Sequence, residues 1–126
     1  MKPSPNEFQL LKALWSSSPA SAREIHDFSS SNTQWSMSST RKTLDRMVEK
    51  GMIAVEERHG LKLYSTNQKK LTTVANFIGE FARKVLELDG RVPASAFAGS
   101  RLLDDEELAE LQLLLDEQTK DDEEAK

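Results

Sequence analysis

Trp35-Ser36-Met37-Ser38-Ser39-Thr40-Arg41-Lys42-Thr43-Leu44-Asp45-Arg46-Met47-Val48-Glu49-Lys50-Gly51 reads as one amphipathic helix with punctuation at both ends. Ser36 is placed to be the N-cap, its hydroxyl accepting from a first-turn N–H that has no partner inside the helix. Gly51 supplies the left-handed residue that ends it. Thr40, Leu44, Met47 and Val48 recur at i, i+4, i+7 and i+8, which is one face of a 3.6-residue period. The opposite face carries Ser38, Ser39, Arg41, Lys42 and Arg46. Small hydroxyls followed by cations suit a DNA groove, where the start of a helix approaches base edges and later cations meet phosphates.

Toward the N-terminus, Met1 to Pro3 read as a loose start. Ser4-Pro5-Asn6-Glu7 is a capping box with proline at the first helical position. The helix it opens places Phe8, Leu11, Leu14 and Trp15 on one face, and Ser16-Ser17-Ser18-Pro19 stops it. Ser21-Ala22-Arg23-Glu24 is a second capping box, predicting a short helix with Ile25 and Phe28 inward. Ser29 to Gln34 reads as a polar connector rich in turn formers.

Beyond Gly51 the period drops from 3.6 to 2. Ile53 and Val55 alternate with Ala54 and Glu56, and Leu61, Leu63 and Ser65 alternate with Lys62 and Tyr64. Glu57-Arg58-His59-Gly60 lies between them, with Gly60 able to take the positive φ of a hairpin turn. A lone hairpin is marginal in water, so an Ile53/Val55/Leu61/Leu63 face is expected to pack on the helices. Residues 1–67 therefore predict a winged helix-turn-helix domain, mainly α with a small β-wing.

Residues 68–118 predict a helical dimerisation region. A helix from Gln68 to Asp89, closed by Gly90, spaces Leu71, Val74, Ile78, Phe81, Val85 and Leu88 at 3, 4, 3, 4 and 3, as coiled-coil core positions alternate. Arg91 to Leu103 reads as a linker or irregular piece. Asp104 is placed to cap a last helix carrying Leu108, Leu111, Leu114 and Leu115, with Asp105, Glu106 and Glu107 at its positive end. Leu108, Leu111 and Leu115 join the expected dimer seam. Residues 119–126, with Lys120-Asp121-Asp122-Glu123-Glu124, read as a disordered acidic tail.

The chain of 126 residues is long enough for one domain or a small domain with an appendage. Its net charge of −4 looks wrong for a DNA binder. The charge is segregated, however. Residues 1–70 hold 11 Lys+Arg against 7 Asp+Glu, net +4, and residues 71–126 hold 6 against 14, net −8. Phosphate attraction acts within about 8–10 Å at physiological salt, so the local sign decides. Zero cysteines exclude disulfides and thiolate metal sites. There is no apolar run long enough to span a membrane and no apolar leader, which points to the cytoplasm. No nucleophile-plus-base arrangement or Gly-rich phosphate loop is present, so neither an enzyme nor a cofactor is expected.

These residues resemble the BlaI/MecI/CopY family of winged-helix repressors, the penicillinase-repressor family. Glu7 to Trp15 look like its first helix, Ala20 to Ile25 the start of its second, and Trp35-Ser36, Thr43-Leu44, Arg46-Met47 and Lys50-Gly51 its recognition helix. Leu63-Tyr64-Ser65 resembles its second wing strand, and Glu106 to Leu111 its last helix. The resemblance implies a homodimer that binds an inverted-repeat operator and represses transcription. The sequence departs from the family's pattern at two points. The copper branch uses C-terminal cysteines, absent here. Receptor-linked members are cleaved at an Asn-Phe bond near their last helices, whereas the Asn-Phe pair here is Asn76-Phe77 and the neighbourhood of Ala96-Phe97 lacks the asparagine.

The expected DNA-binding residues are Arg23, Ser36, Ser38, Ser39, Thr40, Arg41, Lys42 and Arg46 on the helices, with Arg58, His59 and Lys62 on the wing. Asp45 and Glu49 are expected to point sideways. Double-stranded DNA and a second copy are the expected partners, with no membrane and no metal. Two rival readings stay open: a winged-helix module that binds protein through its acidic half, and a metal- or ligand-sensing regulator using His26, His59 and nearby acids.

Overall fold

The structure, a computed structural model, describes residues 2–124, with side chains through Lys120. It divides into two compact units, Met1–Gln68 and Lys69–Lys126. The first holds α1 (Pro5–Ser16), β1 (Ala20–Ser21), α2 (Ala22–Thr33), α3 (Met37–Glu49), β2 (Ala54–Arg58) and β3 (Leu61–Ser65). The second holds α4 (Lys70–Glu80), a π-helical turn (Phe81–Val85), a 3-10 turn (Ala94–Phe97) and α5 (Asp105–Glu124). This is the mainly helical fold with a small wing that the punctuation predicts.

Local chemistry sets the helix starts. Ser4 and Ser21 each accept the N–H of the third helical residue, while Glu7 and Glu24 reach back to the cap N–H, closing both capping boxes. Glu7 is buried and also meets Lys50 Nζ at 3.3 Å. Burial opposes its ionisation, but the Ser4 N–H and the Lys50 ammonium outweigh that and hold the carboxyl below its ordinary value. The core of the first unit gathers Leu10, Leu11 and Leu14 from α1, Ile25 from α2, and Leu44 and Met47 from α3. Met52, Ile53 and Tyr64 complete it from the wing side. Trp15 packs against this core, donates from Nε1 to Gln68 O at 2.9 Å, and meets Phe8 edge-on at 5.3 Å.

Several expectations are corrected. Of the Met1–Pro3 stretch, Met1 lies outside the described residues, while Pro3 is buried. The second helix continues through Thr33 and ends at Gln34 in the left-handed region. Phe28 does not point inward; it is 50% exposed, and Ser29 takes the buried place. A serine tolerates that position because its hydroxyl donates to Ile25 O at 2.8 Å within the helix.

The hairpin faces also differ. The turn is two residues, His59 at φ 52° and Gly60 at φ 77°, a pairing of positive φ values that matches the twist of the strands. It sets Arg58 opposite Leu61, Glu56 opposite Leu63, and Val55 opposite Tyr64. Val55 therefore shares a face with Tyr64, not with Leu61 and Leu63, and the expected four-residue apolar face does not form. Ile53 and Tyr64 are buried while Val55 and Leu61 are largely exposed. A third strand, β1, pairs Ala20 with Tyr64 and Ser21 with Leu63, giving the antiparallel order β1-β3-β2.

In the second unit the long heptad helix is interrupted. Its α-helical part stops at Glu80, and the π turn inserts a residue into the repeat, rotating the residues beyond it off the packed face. Leu86 N–H then donates to Phe81 O, Leu88 N–H to Ala82 O, and Glu87 takes φ 53°. Small residues line the packed side of α4 and the π turn: Thr73, Ala75, Gly79 and Ala82 are buried there. A Cβ on Gly79 would meet Gln118 Oε1 of α5 and the Arg83 guanidinium, both ends of flexible side chains. Leu111 and Leu115 of α5 are enclosed within this unit. The segment before α5 is tied down, since Gln112 accepts from Ala94 N–H at 2.7 Å and donates to Val92 O at 3.0 Å.

Asp104 and Glu107 form a third capping box, as expected of Asp104. The last helix does not stop at Gln118 but runs to Glu124, so the described part of the expected disordered tail is helical. A helix already nucleated by packing adds one backbone bond per further residue, which a polar sequence does not prevent. Residues 125–126 of that tail lie outside the described residues. No helix among the described residues is long and apolar enough to cross a membrane.

Candidate nucleic-acid interface

The recognition helix suggested by the sequence is α3, and its placement rests on both neighbours. Ser36 caps it, accepting Ser39 N–H at 3.2 Å. Thr40, Leu44 and Met47 are fully buried, and Thr43 nearly so. Thr40 is thereby corrected as a DNA-facing residue: its hydroxyl lies 2.8 Å from His26 Nδ1 and joins α3 to α2. Thr43 donates back to Ser39 O at 2.9 Å, and Ser39 is half-buried. Ser38, Arg41, Lys42 and Arg46 are exposed, as expected.

Three cations from three elements stand around one groove. Arg23 at the start of α2, Arg41 on α3 and Lys62 on β3 line a space of about 360 Å³, with Ser21, Asp45 and Tyr64. Arg23 meets Asp27, one turn along α2, at 3.3 Å, leaving it mostly exposed. Tyr64 is the centre strand's contribution, held between Ala20 and Val55. Burial pushes its phenol above its ordinary value, the Asp45 carboxylate adds to that, and the Arg41 guanidinium opposes it. The hydroxyl therefore stays protonated at neutral pH and remains a donor.

The wing cations are not equivalent. Arg58 donates from Nε and from Nη2 to the two carboxylate oxygens of Glu56, at 3.1 and 3.2 Å. That pairing holds Glu56 below its ordinary value and raises Arg58. Both side chains are well exposed, so solvent screens the pair and a phosphate can compete for the guanidinium. His59 sits in the turn itself, and Lys62 on the groove wall.

The structure thus unites Arg23, Arg41 and Lys62, keeps Ser38, Lys42 and Arg46 along the exposed side of α3, and removes Thr40. Sequence reasoning does not single out Tyr64 and Asp45 for this site. The signal for Tyr64 is its alternation in β3, and for Asp45 its position one turn after Arg41. Among the described residues, no three histidine or acidic side chains are grouped to hold a metal ion. A comparison with curated proteins finds no match. Residues 3–117 match the family model described as penicillinase repressor, and the chain belongs to that family.

Proposed function

We propose that the protein is a transcriptional repressor that binds operator DNA as a homodimer in the cytoplasm. The observation that carries the reading is the groove gathering Arg23, Arg41 and Lys62 from α2, α3 and the wing. Separate elements converging on one cationic groove match the path of a phosphate backbone beside a helix seated in the major groove. Ser38 and Lys42, nearer the start of α3, then face base edges. The local charge of the first 70 residues is net +4, the sign a phosphate-facing surface needs.

The second copy is assigned to the apolar residues left uncovered in the second unit. Phe81, Val85, Leu86, Leu88 and Leu113 are each at least 40% exposed, and large apolar side chains left in water gain by association. Leu71, Ile78 and Leu108 are partly covered and extend the same seam. Val74, Leu111 and Leu115, also expected at the seam, are buried within the unit and act as its core.

A mobility shift with the DNA upstream of the chain's own gene tests this. The expected result is a sequence-preferring complex whose affinity falls steeply with salt, because each neutralised phosphate releases counterions. A chain that binds no DNA at moderate salt, or all sequences alike, defeats the operator reading.

A further inference from the structure

On α3 the inward direction is set by Thr40, Thr43, Leu44 and Met47. With 3.6 residues per turn, the line opposite is Ser38, Lys42, Asp45 and Glu49, at spacings of 4, 3 and 4. All four are exposed. Arg41 and Arg46 fall on the two flanks. Asp45 therefore does not point sideways: it stands on the outward line and also borders the groove shared by Arg23, Arg41 and Lys62.

We infer that Asp45 is a specificity-determining residue, accepting a hydrogen bond from the exocyclic amino group of a cytosine where α3 lies in the major groove. The inference rests on the DNA-binding reading above. Arg41 and Lys42 can only donate, and Ser38 can do either, whereas a carboxylate only accepts. In the major groove cytosine presents the N4 amino donor, guanine the O6 and N7 acceptors, and thymine the O4 acceptor with a methyl group. A carboxylate gains a bond at cytosine, meets the N7 lone pair beside the N6 donor at adenine, and meets only acceptor lone pairs at guanine or thymine. Among the described residues no ion pair joins Asp45 to Arg23, Arg41 or Lys62, and Arg23 is turned to Asp27 instead. Asp45 is thus held in no ion pair with the cations that share its groove. Glu49 is on the same line one turn later, toward the end of the helix that lies farther from base edges.

A carboxylate in a phosphate-rich interface repels DNA of any sequence and recovers that loss only at the right base, which is specificity by rejection. The test is selection from duplexes with randomised positions, using the full chain as wild type, Asp45→Ala and Asp45→Asn, alongside binding to one random-sequence duplex. The wild type should enrich cytosine at one position of each half-site, at least about fivefold over other bases. Asp45→Ala should lose that preference and bind the random duplex several-fold more tightly. Asp45→Asn should move the preference to adenine, whose N6 and N7 match a carboxamide. Because Asp45 is exposed, both variants should melt like the wild type, which separates loss of recognition from loss of fold. If Asp45→Ala selects the same sequences and gains equally on selected and random DNA, the residue is a solvated charge and the assignment is overturned. Absence of wild-type binding to any duplex overturns the DNA reading itself, and this assignment with it.

Discussion

At the scale of single residues, the position of a charge on α3 decides its role. Arg41 lies on a flank with Arg23 and Lys62 across the groove, so on the proposed operator-binding reading it meets phosphate. Replacing any of these three by alanine should weaken specific and random DNA alike and lower the salt slope by about one. Lys42 lies on the outward line, so Lys42→Ala should instead cost about 1–3 kcal/mol at selected sites only. Titrations at several salt concentrations on both kinds of duplex separate the two. Residue types make Arg23, Arg41 and Lys62 legible in the sequence, but not their meeting, which depends on how the wing folds back. Asp45 is less legible, because its acidity argues against DNA while its helical position argues for it. Glu7 gives a second residue-scale test. Its carboxyl is held below the ordinary glutamate value of 4.5, so it stabilises the folded form above that pH and loses the contribution as pH falls through the lower folded value. Glu7→Gln should therefore lower the melting temperature at neutral pH, with the gap to wild type closing in acid.

At the scale of elements, legible and hidden features divide along the range of the interaction. The boxes at Ser4, Ser21 and Asp104 and the cap at Ser36 all form, because each involves residues three apart. The wing faces are not legible, because alternation fixes which residues share a side within a strand but not the register between strands. Here the two-residue turn decides it, and Val55 meets Tyr64 rather than lying with Leu63. The strand β1 escapes a sequence reading, since two residues carry no period at all. The same turn offers a stability test. His59 is held at φ 52°, the left-handed region that asparagine enters readily because its short side chain bonds the local backbone. His59→Asn should stabilise the first unit by about 0.5–1 kcal/mol. Gly60→Ala should cost about 1–2 kcal/mol, since an added Cβ at Gly60 meets no atom nearby and the penalty is the left-handed backbone alone. Thermal melts followed by circular dichroism measure both.

At the scale of the whole molecule, the two units divide charge and apolar surface between them. The first half is net cationic, while the second half combines a strong acidic excess with uncovered leucine, valine and phenylalanine. Like charge would push two copies of the second unit apart, so association there must come from apolar burial, at about 25 cal/mol per Å² removed from water. The heptad spacing points at this surface but mixes two populations, since Val74 before the π turn is buried in its own unit and Val85 at its end is exposed. Leu111 is fully buried inside its own unit, whereas Phe81 is 53% exposed. The two positions should therefore fail differently. Leu111→Ala removes core packing and should destabilise the second unit by about 2–5 kcal/mol. Phe81→Asp leaves that core intact but places a carboxylate on the seam, where a buried unpaired charge is strongly unfavourable. Sedimentation should find Phe81→Asp folded and monomeric. Its affinity for a full inverted repeat should drop toward that for a single half-site, since the second half-site no longer gains from being tethered to the first. A Phe81→Asp chain that still sediments as a dimer moves the seam elsewhere.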